Sequence, residues 1–304
     1  MDRDLPDKEV LDINLFTNTE MLDEQDFTLL HRIVLGLCET DLESQVKLDP
    51  RHIDTPDGNG RTPLLWAAWR GDSRSVEILL KHQADPNEAD FEGFTALSRA
   101  AKAGRLSCVE SLLRARASVT PATFWGSQAI HFASGNKSHG VPIIKALLAS
   151  GADINARGSG DTPLHEAANR GSLETVQYLV ENGAELDAVN EMDLTPAMVA
   201  LLCWNEDIFL CLAELGARLD LKTTDGLNFV QFVTWTASPR SWEVLIDAAQ
   251  RGKLTGLNLM SIHAGHDIWH CFKVCRENWY LGDRGNRDEE TAVFKRLIQA
   301  ADVQ

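Results

Sequence analysis

His266 and His270 stand four residues apart, and so do Cys271 and Cys275. On a helix each i, i+4 pair shares a face, the arrangement by which two side chains can hold one zinc ion. With His263 they form a dense group of ligand-type residues. The two pairs are offset from each other by about five residues, however, so they do not fall on one face. No Cys-x-x-Cys knuckle accompanies them, and a degenerate helix accounts for them better than a metal site. Acid/base chemistry has a second set of candidates in Glu92, His131, Asp161 and Glu166, if an apolar groove excluded water around them. No Gly-x-x-x-x-Gly-Lys-Ser/Thr loop, His-Glu-x-x-His pair or Gly-x-Ser-x-Gly elbow occurs. The residues therefore predict no metal, no cofactor and no defined catalytic set.

The remaining histidines lead to the elements that position them. His31, His131, His165 and His270 share one place in a recurring segment whose clearest copy is Thr162-Pro163-Leu164-His165. Residues matching Thr162 recur at Thr28, Thr62, Thr95, Gln128, Thr195 and Asn228, in steps of 33 or 34. A constant period of that length is the mark of a repeat array. In the unit at Asp161, Thr162 can cap a helix that takes Pro163 in its first turn, where a missing N–H costs little. Ala167 and Ala168 allow close helix packing, and Gly171 permits a tight turn into a second helix over 172–180. There Val176, Leu179 and Val180 share a face by the i, i+3, i+4 rule. The same offsets select Val76, Leu79 and Leu80, then Val109, Leu112 and Leu113, and then Trp242, Leu245 and Ile246. One unit cannot close such a stripe against water, so neighbours must stack into a solenoid.

The chain resembles the ankyrin repeat family. The residues carrying the resemblance are Thr162-Pro163-Leu164-His165-Glu166-Ala167-Ala168, Gly151-Ala152-Asp153-Ile154-Asn155 and Gly60-Arg61-Thr62-Pro63-Leu64-Leu65-Trp66-Ala67-Ala68. The first unit, Thr28-Leu29-Leu30-His31, replaces the paired alanines with Ile33 and Val34 and reads as an N-terminal cap. Together with 60–72 it is similar to ankyrin proteins of filamentous fungi. The implied fold is an all-α solenoid of about seven to eight stacked helix-turn-helix units, with β-turn fingers and degenerate terminal caps. The implied role of the repeated histidine is structural: its imidazole bridges backbone groups of adjacent units.

The array is expected over 26–248, with anchors at 28, 62, 95, 128, 162, 195 and 228, after an N-terminal flanking segment over 1–25. Residues 249–304 read as an irregular linker followed by a degenerate repeat or helical cap, because Gly265 to His270 aligns with the repeat head. The fourth unit carries two extra residues between its helices, so 136–140 should protrude. The next finger, Arg157-Gly158-Ser159-Gly160, is one residue short and glycine-rich, which predicts a flexible tip.

Composition limits the function further. The net charge is −16, and residues 1–54 carry 14 acidic against 5 basic side chains. Residues 188–248 carry 9 against 3, whereas residues 55–120 are nearly balanced, with 8 against 9. Such a field disfavours nucleic acid, which is bound by neutralising phosphates, and suits a basic partner. No basic region followed by an apolar run opens the sequence, and no stretch approaches the roughly 20 apolar residues of a membrane span. The six cysteines have no disulfide-like spacing, so reduced thiols and a cytoplasmic or nuclear location are expected.

In the family, the finger and the residues after the paired alanines face the concave groove. The resemblance thus selects Trp69, Arg70, Phe91, Glu92, Phe94, Lys102, Phe124, Trp125, Asn169 and Arg170 as partner-binding residues, with Glu191, Met192 and Trp235 further along. Aromatic side chains on solvent-facing fingers commonly mark binding sites, and Trp and Arg dominate binding hot spots. The expectation is a monomeric, non-catalytic protein-protein interaction module, an adaptor or scaffold, holding a protein segment in an aromatic-lined groove. The alternative is a groove for a small apolar molecule, with the four acid/base residues above supplying catalysis.

Overall fold

Each of the six anchors from Thr28 to Thr195 is the N-cap of a helix. The computed structural model describes residues 26–224, together with Ser241, Val244, Leu245, Asp247, Ala248 and Arg251. The flanking segment over 1–25, the anchor at 228, Trp235 and the C-terminal segment with its histidines and cysteines lie outside the described residues. The side chains of Thr28, Thr62, Thr95 and Thr195 accept from the backbone N–H three residues on, which satisfies one of the orphan donors of the first turn. Pro63, Pro163 and Pro196 occupy the first helical position, where no N–H is needed.

Twelve α-helices follow in pairs among the described residues. The first of each pair is α1 (Leu29–Val34), α3 (Pro63–Arg70), α5 (Ala96–Lys102), α7 (Ala129–Ser134), α9 (Pro163–Arg170) and α11 (Pro196–Leu202). The second is α2 (Leu42–Leu48), α4 (Ser73–Lys81), α6 (Leu106–Arg114), α8 (Gly140–Ala149), α10 (Leu173–Glu181) and α12 (Glu206–Glu214). The fold is the all-α repeat solenoid expected from the sequence; the described residues contain no strand, and an isolated bridge joins Ala89 to Thr95. The chain divides into two compact units, Met1–Ser159 and Gly160–Gln304, and the division falls in the shortened finger. In the first unit α1, α3, α5 and α7 pack in succession, as do α2, α4, α6 and α8. In the second, α9 packs on α11 and α10 on α12.

The core repeats with the sequence. Ala67, Ala68, Ala100, Ala101, Ala167 and Ala168 are fully buried, and so are the stripe pairs Val76/Leu79, Val109/Leu112 and Val176/Leu179. Trp242 and Ile246 of the fourth expected stripe lie outside the described residues, and the third member of these three stripes, Leu80, Leu113 or Val180, is only half-buried. It follows its neighbour by about 100° around the helix, which carries it to the edge of the buried face. The two kinds of turn also differ from expectation. Gly71 and Gly104 adopt φ of +83° and +70°, but Gly171 has φ −74° and ψ −163°, so that turn needs no left-handed residue. Ser172, also extended at φ −117°, follows it and caps α10 by accepting from Thr175 N–H.

In the fourth repeat the extra residues sit in a turn whose Lys137, Ser138 and His139 are exposed. Asn136 organises it: Oδ1 accepts from Ser138 and His139 N–H at 3.1 and 2.9 Å, and Nδ2 donates to Lys102 O at 3.2 Å. Gly158 in the short finger approaches its neighbour so closely that a Cβ there would lie 2.8 Å from Ser127 Cα.

The repeated histidines are buried and cross between repeats. Nδ1 of His31, His131 and His165 accepts from the N-cap N–H of its own helix at 3.2, 3.1 and 3.2 Å. Nε2, which therefore carries the proton, donates to Arg61 O, Ala156 O and Leu194 O at 2.8, 3.0 and 2.9 Å. Burial holds the His31 imidazole below its ordinary 6.5, against an opposing pull from its carbonyl partner and Asp57. The unfolded chain thus binds a proton near pH 6.5 that the folded chain refuses, and stability falls as pH drops below that value. Urea unfolding between pH 7.5 and about 5.5 should show a falling midpoint, and the His31→Gln variant should show a shallower fall. An equal slope in both would remove the burial argument.

Candidate functional site

The fingers are built by a side chain five residues before the anchor. Asp57, Asp90 and Asn190 each donate their N–H to the carbonyl closing the finger, at 2.9, 2.9 and 3.0 Å. Their Oδ1 atoms accept from two backbone N–H groups across the tip: Asn59 and Arg61, Glu92 and Phe94, Met192 and Leu194, all within 2.8–3.0 Å. This is the Asx-turn chemistry that lets a short polar side chain hold a reversal. The fixed offset from the anchors carried this signal in the sequence, and reading for aromatic residues alone missed it.

Within the first unit the fingers are also stitched to each other. Phe91 N–H donates to Asn59 O and Phe124 N–H to Glu92 O, both at 3.1 Å, and the Ser159 hydroxyl donates to Trp125 O. The backbone is thus held at the residues that carry the rings. Phe91, Phe124 and Trp125 are 66%, 79% and 58% exposed, so three large aromatic side chains stand in water on consecutive, hydrogen-bonded fingers. That arrangement forms a ridge.

The other aromatic candidates are arranged differently. Phe94 is only 4% exposed and packs on Phe132 at 5.0 Å between ring centroids, so it belongs to the core and not to a groove surface. The residue closing a finger points back toward its own helix, whereas the tip residues point away. Trp69 is half-buried and stacks on buried Trp66 at 5.2 Å. The guanidinium groups of Arg61 and Arg99 lie 5.4 and 4.9 Å from the Trp69 ring, cation–π distances, and Arg99 also covers Phe94 at 3.7 Å. Arg99 was not singled out from the sequence, yet its side chain is only 5% exposed and donates to Asp90 Oδ2 at 2.6 Å and to Glu92 Oε2 at 3.0 Å. Asp90 therefore both closes a finger and neutralises a buried guanidinium. Its sibling Asp57 accepts from Trp66 Nε1 at 2.9 Å. Lys102 Nζ lies 5.6 Å from the Phe94 ring, and Arg70 donates to Val34 O, tying α3 to the end of α1.

Asn169 and Arg170 lie in the second unit, at the end of α9. Asn169 O accepts from Asn205 Nδ2 at 2.6 Å and its Oδ1 lies 3.2 Å from Cys203 Sγ; Arg170 is exposed. Nearby Glu166 is pushed above the ordinary carboxylate range by burial, with Arg170 opposing and Asp161 adding to the shift. Glu191 and Met192 are exposed at a finger tip of this unit. Leu202 and Trp204, 40% and 63% exposed, are apolar side chains that the sequence reading missed.

Two of the acid/base candidates are committed to other groups. His131 spends one ring nitrogen on Gln128 N–H and the other on Ala156 O, and Glu92 faces Arg99. Among the described residues no group of three or more His, Cys, Asp or Glu side chains could hold a metal ion. The described cysteines, Cys38, Cys108, Cys203 and Cys211, are free thiols. No described helix is long and apolar enough to cross a membrane.

A family model described as ankyrin repeats (three copies) matches residues 17–123 and 126–223. Among curated proteins, the chain is 28% identical over 214 residues to the ankyrin repeat protein nuc-2 of Neurospora crassa, covering 69% of this chain and 20% of that protein. It is 30% identical over 176 residues to a transient receptor potential cation channel subfamily A member 1 homolog of Caenorhabditis elegans, covering 57% and 14%. With the nuclear factor NF-kappa-B p105 subunit of Gallus gallus it shares 31% over 180 residues, covering 57% and 18%. The chain thus spans a fifth or less of the length of these relatives.

Two charged side chains give opposite expectations for stability. Asp90→Ala strands buried Arg99 and opens a finger, and should cost on the order of 3 to 5 kcal/mol in denaturant titration. A loss below about 1 kcal/mol would show that water replaces the carboxylate. Glu166→Gln should instead raise stability at pH 7, because a carboxylate whose folded value lies above its unfolded one destabilises the fold wherever it is ionised. Its advantage should vanish near pH 4, where both forms are neutral. A variant less stable than the parent at pH 7 would mean that the ionised group makes a net favourable contact.

Proposed function

The chain belongs to the ankyrin repeat family, and on that premise we propose that it is a non-catalytic adaptor holding a protein segment against the finger ridge of its first unit. Ankyrin repeats are generally protein-protein interaction modules. One observation carries the reading: Phe91, Phe124 and Trp125 stand exposed on consecutive fingers whose backbones are hydrogen-bonded together. Apolar surface of that kind is uncommon on a free protein and common at docking sites. A preorganised backbone lowers the ordering cost of association, so rings fixed in this way suit tight recognition. Glu92 beside the ridge, with half-buried Trp69 and Lys102, offers polar and aromatic edges for orienting the bound segment. Asn169 and Arg170 would serve a separate contact in the second unit. Phe94 is buried, and Arg70 is committed to Val34, so neither is assigned to the partner.

The experiment is quantitative mass spectrometry of proteins captured from native lysate by the parent chain and by Phe124→Ala/Trp125→Ala. Because both rings are mostly solvated, the double variant should keep its thermal midpoint within about 2 °C while losing a partner, in contrast to the 3 to 5 kcal/mol cost of deleting a buried aromatic. A stable variant that retains every partner overturns the ridge assignment. A melting shift produced in the parent by small apolar molecules, with no protein partner, would favour a small-ligand groove.

A further inference from the structure

Trp204 occupies the ninth position after its anchor, the place held by Gly71 and Gly104 in the second and third repeats. Those glycines have φ of +83° and +70°, and Trp204 has φ +62°. A bulky residue pays a steric penalty in this left-handed region that glycine avoids, and a strained position at an exposed place points to function. The indole recovers little by packing, since it is 63% exposed. Leu202 and Cys203 before it are exposed as well, so three non-polar side chains in a row face water at one turn. The turn itself is fixed: Asn205 Nδ2 donates to Ala168 O and Asn169 O at 2.8 and 2.6 Å, and Asn205 N–H donates to Ala200 O at 2.9 Å. Backbone strain and apolar exposure therefore coincide on a rigid support.

The surroundings indicate what would cover it. Burial pushes the Cys203 thiol up, with Arg170 opposing and Glu166 and Asp161 adding to the shift, and Glu206 and Asp207 follow in the first turn of α12. Over residues 160–224 there are 12 acidic side chains against 3 basic, whereas residues 26–159 carry 15 of each. Among the described residues the negative charge is therefore concentrated in the second unit, while the described part of the first, which bears the finger ridge, is balanced. Such a field repels phosphate and a second copy of the same surface, and attracts Lys- and Arg-rich chain.

We infer that the Leu202–Cys203–Trp204 turn is a second docking surface, for a basic peptide segment that seats an apolar side chain on Trp204 with Lys or Arg beside Glu166 and Asp207. The surface is distinct from the finger ridge and does not depend on it.

The test pans a displayed library of random dodecapeptides against the full chain and against Trp204→Gly. Peptides enriched by the parent alone are then titrated by fluorescence anisotropy at low and high salt. Lys- and Arg-containing peptides with an apolar anchor should be enriched, should weaken with salt, and should bind Trp204→Gly about tenfold or more weakly. The thermal midpoint of Trp204→Gly should equal or exceed that of the parent, since glycine relieves the strain; Trp204→Asn, which also tolerates a positive φ, serves as the second variant. Glu166→Gln with Asp207→Asn should weaken binding and flatten its salt dependence. Phe124→Ala/Trp125→Ala should bind the same peptides as the parent does. Neutral or acidic peptides, equal binding by Trp204→Gly, no peptide that depends on Trp204, or loss of binding in the finger double variant would each overturn the assignment.

Discussion

No repeat of this chain can bury its own apolar stripe, and everything else in the structure depends on how one repeat is tied to the next. In three of the six described repeats that tie includes a buried imidazole. His31 and His165 hold the N-terminus of their own helix with one nitrogen and the carbonyl just before the next anchor with the other. A single neutral tautomer serves both bonds. Helix capping and repeat-to-repeat register are thereby one interaction, and protonation disturbs both at once. His131 makes the same pair of bonds but reaches Ala156 O, six residues before the next anchor.

Around that tie, the carboxylates do two kinds of work. Asp57 and Asp90 close fingers with Oδ1 and spend Oδ2 on a buried donor of the inner helix, the Trp66 indole in one repeat and the Arg99 guanidinium in the next. The second pairing leaves Arg99 buried without an unpaired charge and lets it lie over Phe94 and Trp69. The fingers are consequently rigid at their bases, and the aromatic side chains at their tips are held in solvent without being part of the core. The residues that hold the finger and the rings it exposes are thus different residues of the same short loop.

The charge of the chain is divided in a way that matches its exposed apolar groups. The described part of the first unit is balanced and exposes phenyl and indole rings on its fingers, while the described part of the second is strongly acidic and exposes Trp204 at a helix turn. Apolar rings in a balanced field and an indole in a negative field present chemically different surfaces.

The period of 33 or 34 residues, the N-cap threonines and the paired alanines were legible in the sequence because each is dictated by short-range physics that recurs unit by unit. Helix starts and the buried Val/Leu pairs follow from that local pattern, as did the irregular fourth repeat, while the structural use of the histidines was what the family resemblance implied. Which aromatic side chains stay in water did not follow. Phe91 and Phe94 are three residues apart in one finger, yet one is 66% exposed and the other 4%, because the direction of the chain at the tip depends on the Asp90 turn. The burial of Arg99 and the positive φ of Trp204 were equally hidden. A guanidinium is buried only where a carboxylate and two aromatic faces converge on it. A tryptophan takes a glycine's backbone only where the surrounding turn is already fixed, and both are conditions of tertiary structure.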